Sequence, residues 1–279
     1  MIHRTGAVHR AGIAVVLAML VLTACARGPA GGLAIVDPVF ASLFPAAARE
    51  YRALAGTLVV LPEEAPSAAM YAAIDKHRPS WVVLSPLLFT ELGPLCRSRP
   101  ELTVLWAGPG VPADHDTLYS ATFSSAGAAA VAGPALADAI AATGQPSAIS
   151  VALVSPDGAE TVTQALLSAF SSADSVRVPI IERVAGWSQS VSERLGAMDV
   201  RAAYLAVDLS ESGRWLGTAL PDEAYTLLLC PLPSPGTPRG VDALVAWNLK
   251  ETLGELSRRL QTGERGNGEG TWTLVRAGG

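Results

Sequence analysis

The stretch PSWVVLSPLLFTELGPLCRSRPELTVLWAG, residues 79–108, decides the fold. It begins with a strand at 81–85, apolar from Trp81 to Leu84, passes through a helical stretch at 89–97, and returns to a strand at 103–106, apolar from Val104 to Trp106. A strand with one face in water alternates apolar and polar residues, whereas a strand covered on both faces is apolar throughout. The runs in this stretch do not alternate, so the reading is a strand–helix–strand unit of a parallel sheet with helices on both sides.

The same unit repeats toward the N-terminus. Apolar runs at 33–36 and 57–61 read as strands, and 45–55 and 67–77 read as helices. Ala47, Ala48, Tyr51 and Leu54 share one face of the first helix, with Pro45 suited to its opening turn and Gly56 to its stop. A further strand is expected at 119–123. The Ala- and Gly-rich segment 125–143 follows. Asp138, Pro134 and the shortage of Leu and Phe argue against a membrane span there, so a close-packed soluble helix, bent or broken near Pro134, is expected.

After Gly144-Gln145-Pro146 the alternation restarts. Strands are expected at 149–154, 176–181, 202–207 and 226–230, with helices at 160–170, 188–198 and 211–220. Residues 231–240 hold four prolines and read as an irregular return between lobes. A helix is expected over 244–260, with Leu249, Leu253, Leu256 and Leu260 as its stripe and Glu255 four residues before Arg259. A loop over 263–270 and a strand over 271–275 complete the chain. The predicted fold class is α/β: two doubly wound parallel-sheet lobes joined by a hinge. The first lobe takes 33–121 with 241–263, and the second takes 122–240 with 264–279.

With 50% hydrophobic and 16% charged residues the chain can bury a large core, which excludes disorder for its bulk. The net charge of −5 argues against nucleic acid and anionic membrane faces as partners. Cys96 and Cys230 are too few and too far apart for a disulfide framework or a zinc site. Buried free thiols are expected, and a single bridge between them is the alternative.

Residues 1–24 carry His3, Arg4, His9 and Arg10 ahead of an uncharged run, 11–22, of about 12 residues, which suits a secretion signal and is too short to span a bilayer. Its removal leaves 255 of the 279 residues and moves the net charge to −7, because Arg4 and Arg10 go with it. Residues 25–32 read as a tether. Leu22-Thr23-Ala24-Cys25 resembles the lipobox of bacterial lipoproteins, and the resemblance makes Cys25 the lipidated first residue of the mature chain; an ordinary signal peptide with a chance Cys is the alternative.

Two doubly wound lobes behind a lipobox resemble the type I periplasmic binding proteins, the solute-binding subunits of ABC importers. Within that superfamily residues 79–108, 121–137 and 241–275 are similar to segments of the basic-membrane-protein lipoproteins that bind nucleosides. Two turns differ. Asp37-Pro38-Val39-Phe40 lacks the Asn-Asp pair of the nucleoside binders and is nearer the sugar-binder pattern, and Ser155-Pro156-Asp157-Gly158 stands in place of a Gly-Gly turn.

Ligands of doubly wound sheets bind outside the carboxyl ends of the strands. That rule selects Asp37, Phe40, Ser85, Phe89 and Trp106 in the first lobe, and Asp157, Trp187, Asp208 and Ser210 in the second. Aromatic faces with carboxylates suit a small polar ring compound. Each residue also has a plain structural reading: caps for Asp157 and Asp208, core packing for Phe89 and Trp106, hinge packing for Asp37 and Phe40, and surface packing for Trp187.

No metal-ligand spacing surrounds His77 or His115, and no nucleophile elbow, phosphate loop or dinucleotide fingerprint occurs. No enzyme activity and no cofactor are therefore expected. The expectation is a monomeric, lipid-anchored solute receptor of the cell envelope that captures a nucleoside or sugar by hinge closure and delivers it to an ABC permease. The alternative is an interaction or regulatory lipoprotein that uses the same fold without a small ligand.

Overall fold

The computed structural model describes residues 31–110, 112, 114–142, 149–153, 164, 176–177, 202–206, 225–232 and 241–276. The expected alternation is present in the first lobe; in the second the strands are present, and the helices expected over 160–170, 188–198 and 211–220 lie, but for residue 164, outside the described residues. Strands β1 (Gly32–Val36), β2 (Leu58–Val60), β3 (Trp81–Leu84), β4 (Thr103–Gly108) and β5 (Leu118–Thr122) pair in parallel, joined by β11 (Gly266–Glu269), in the order β11-β5-β4-β3-β1-β2. A second sheet has the order β12-β10-β9-β8-β6-β7, formed by β6 (Ile149–Leu153), β7 (Val176–Arg177), β8 (Ala202–Ala206), β9 (Tyr225–Leu229), β10 (Ala243–Trp247) and β12 (Trp272–Arg276). Among the described residues only β12 is antiparallel, to β10.

Both faces of the first sheet are covered, which is why its strands are apolar at consecutive positions. Ala34, Val36, Val83, Leu105 and Ala107 face α1 (Pro38–Leu43), α2 (Pro45–Ala55) and α6 (Leu249–Thr262). The alternate residues Leu33, Ile35, Val82, Leu84, Val104 and Trp106 face α3 (Pro66–His77) and α4 (Phe89–Ser98). Helix α2 has the expected bounds, with Pro45 opening it and Gly56 closing it at φ 78°.

Helix α5 (Ser125–Ala142) packs Ala128, Ala129, Ala132 and Leu136 against Leu227, Ala243 and Val245 of the second sheet. It runs unbroken through Pro134, contrary to the break allowed for it. Among the described residues no helix is long and apolar enough to cross a membrane.

The C-terminal segment departs from the expectation. The helix expected over 244–260 is the strand β10 followed by α6, whose N-cap Asn248 accepts from Glu251 N while its Nδ2 donates to the Glu251 carboxylate at 2.7 Å. The loop expected over 263–270 contains β11, paired with β5. Strand pairing therefore puts 243–247 in the second sheet and 266–269 in the first, the reverse of the sequence division. The anticipated Glu255–Arg259 pair is also absent: Glu255 binds Arg258 at 2.6 Å, and Arg259 turns inward.

Cys96 and Cys230 are both buried and form no disulfide, Cys96 on the inner face of α4 against the first sheet and Cys230 just after β9 of the second. Burial pushes the Cys96 thiol above its ordinary pKa.

Candidate functional site

Three crossings join the sheets. The chain leaves β5 through Phe123-Ser124 into α5, leaves β10 through Asn248 into α6, and leaves β11 through Gly270-Thr271 into β12. Thr122 lies beside Glu269 at the carboxyl edge of the first sheet, and Trp247 lies beside Trp272 at the corresponding edge of the second. The crossings thus link carboxyl edge to carboxyl edge, where ligands of doubly wound sheets bind.

Backbone bonds tie the crossings to one another. Gly270 N donates to Thr122 O at 2.9 Å and Asn248 N to Thr271 O at 2.8 Å, while Phe123 N, donating to Gly108 O at 3.1 Å, ties the first crossing to the end of β4. Ser124 receives a bond from Gly127 N at 3.0 Å, capping α5, and donates to the Glu269 carboxylate at 2.6 Å.

Each crossing also carries an aromatic ring. Phe123 stacks on Trp247 with centroids 4.3 Å apart and planes 13° apart, and meets Trp272 edge-on at 5.6 Å. A Cβ on Gly270 would stand 2.6 Å from the Phe123 ring, so this position has room only for glycine. The buried Nε1 atoms of Trp247 and Trp272 meet no hydrogen-bond acceptor among the described residues.

The first-lobe residues selected from sequence form two pairs at this edge. Asp37 caps α1, accepting from Val39 N at 2.8 Å and Phe40 N at 3.3 Å, while its own N–H donates to Ser85 Oγ at 3.1 Å. Phe89 lies 5.3 Å from Trp106 and is 41% exposed. A Cβ on Gly110 would touch Phe89 at 3.8 Å, and one on Gly108 would clash with the Trp106 indole at 2.5 Å.

Three of these residues do not present a side chain to an open cleft. Phe40 is fully buried and packs edge-on against Tyr51 at 5.5 Å, because the helical turn begun by Asp37 directs it into the core. Ser85 and Trp106 are fully buried as well, the latter on the α3–α4 side of β4. Asp157, Trp187, Asp208, Ser210 and Cys25 lie outside the described residues.

The sequence selection passed over Phe123, Trp247 and Trp272. Their common signal is an aromatic residue at a strand end beside each crossing. Among the described residues no group of three or more His, Cys, Asp or Glu is placed to hold a metal ion.

No protein-family profile matches the chain, and no curated protein does. Solved structures do. A solute-binding protein of an ABC transporter system from Aeropyrum pernix K1 superposes with a TM-score of 0.54 at 15% identity, over 88% of this chain and 76% of its own. A transcriptional activator of the comK gene from Bacillus halodurans superposes with a TM-score of 0.55 at 10% identity, over 89% and 91%. A protein from Mycobacterium smegmatis gives 0.52 at 13%, also over 89% and 91%. Two α/β sheets whose carboxyl edges are joined by three crossings, matched over nearly nine-tenths of the chain, give this protein the type I periplasmic-binding-protein fold.

Proposed function

We propose that this protein is a lipid-anchored solute receptor, the binding subunit of an ABC-type importer, which takes a small polar ring compound of the nucleoside or sugar class between its lobes. Rotation about the three crossings closes the lobes on the solute and creates a joined surface for a permease. The observation that carries this reading is the apposition of two carboxyl edges, with Asp37 and Phe89 on the first-lobe side and the crossing aromatics where the sheets meet. Similarity to an ABC solute-binding protein supports it. In this reading acyl chains on Cys25 hold the monomer at a membrane, facing the periplasm or exterior, since each buried methylene contributes about 0.8 kcal/mol.

The burial of Phe40, Ser85 and Trp106 favours a second reading. A cleft wall from which these side chains are withdrawn suits an interaction lipoprotein that engages an envelope partner and takes no small ligand.

Thermal melts of the full-length chain in mild detergent, followed by intrinsic tryptophan fluorescence, separate the two. The probes are adenosine, guanosine, ribose, glucose and galactose. A bound probe at about 100 times its Kd adds about 2.7 kcal/mol, which for a chain of this size raises Tm by about 5–10 °C. The receptor reading expects such a rise with one class of probe and its loss in Asp208→Ala and Trp187→Ala. Unmoved melts across both classes overturn that reading in favour of the interaction lipoprotein.

A further inference from the structure

We propose that Phe123, Trp247 and Trp272 form an aromatic clasp that makes the three crossings move as one unit. The rings come from the three separate crossing points, and each touches the other two: Phe123 on Trp247 at 4.3 Å, Phe123 on Trp272 at 5.6 Å, and Trp247 on Trp272 at 6.3 Å. Gly270 lies directly against the Phe123 ring, and Trp272 abuts Gly127 in the first turn of α5, where a Cβ would stand 2.9 Å from its Cδ1. The clasp therefore touches every segment that passes between the sheets.

Ordinary core packing joins elements of one lobe; this cluster joins the first-sheet exit to a pair of facing residues on the second sheet. Rotation of one sheet against the other slides Phe123 across the face of Trp247. Stacked and edge-on ring pairs are both favourable, so a slide at one contact strains the other two, which couples the crossings. The indole Nε1 atoms of Trp247 and Trp272 hold no acceptor among the described residues, so sliding these rings breaks no indole hydrogen bond there. A polar tether at this place would instead lose a buried bond with each closure.

The clasp rests on the reading that the lobes rotate about the crossings, but its test needs no ligand and is separable from the solute screen. The measurement is amide hydrogen exchange on the full-length chain in mild detergent, comparing Phe123→Leu and Trp272→Leu with Tyr71→Phe, a change to a ring packed on the opposite face of the first sheet. Either clasp variant is expected to speed exchange about tenfold at all three crossings, at the amides of Phe123, Asn248 and Gly270, while leaving β1 and β3 protected. Faster exchange confined to the substituted crossing overturns the proposal, as does a uniform rise over the whole chain. Because Trp272 is only half-buried, Trp272→Leu keeps the test decisive if Phe123→Leu does not fold.

Discussion

Tyr51 shows how much one side chain on the first sheet depends on its surroundings. Its ring is fully buried against Phe40, and its hydroxyl reaches only the Ala107 carbonyl, at 3.5 Å. Burial alone pushes its phenol well above the ordinary value of 10.0. A group whose pKa is raised by folding supports the native state fully below its unfolded pKa and withdraws that support as pH rises beyond it. Stability should therefore fall above pH 10 with a contribution of about 1.4 kcal/mol per pH unit from this residue. In Tyr51→Phe that component of the slope is expected to vanish, as read from denaturant midpoints between pH 9 and 11. Helical spacing alone placed Tyr51 on the inner face of α2. Spacing could not do the same for Phe40, because six residues of α1 make too short a helix to display a period, and a Pro after an Asp reads equally as turn or helix start.

At the scale of elements, α6 and β11 show one segment organising another. Gly266-Asn267-Gly268-Glu269 has little strand propensity of its own. It becomes a strand because β5 offers an edge and because buried Arg259 of α6 donates from Nη1 to Ser120 O at 3.1 Å and from Nη2 to Gly266 O. Gly268 leaves the space, since a Cβ there would stand 2.8 Å from Nη1. Arg259→Met should cost about 1–3 kcal/mol, the penalty for carbonyls left without donors, with faster exchange along β11; denaturant unfolding and amide exchange check both. Arg258, by contrast, lies outside and pairs with Glu255 and Glu264, so its contribution is small. The leucine stripe of α6 was legible because it has a period of a helix. The five apolar residues before it were not, because a short apolar run carries no period, although Asn248 followed by Glu251 marks the true helix start.

For the molecule as a whole, the arrangement of the two sheets decides what the cysteines can do. Cys96 and Cys230 lie against different sheets and form no disulfide, so a reducing agent is expected to leave Tm unchanged; a fall on adding dithiothreitol would establish a bridge instead. The alternation of apolar runs and helices by itself determined the fold class, the parallel pairing and the presence of two lobes, because burial on both faces is written into consecutive residues. Only the tertiary structure decided which sheet each C-terminal segment joins, that Phe40, Ser85 and Trp106 turn inward, and that Phe123, Trp247 and Trp272 meet. The pairing of β11 with β5 and the meeting of Phe123 with the two tryptophans join residues more than a hundred positions apart, and the inward turns are set by packing between elements; local periodicity carries no information on either.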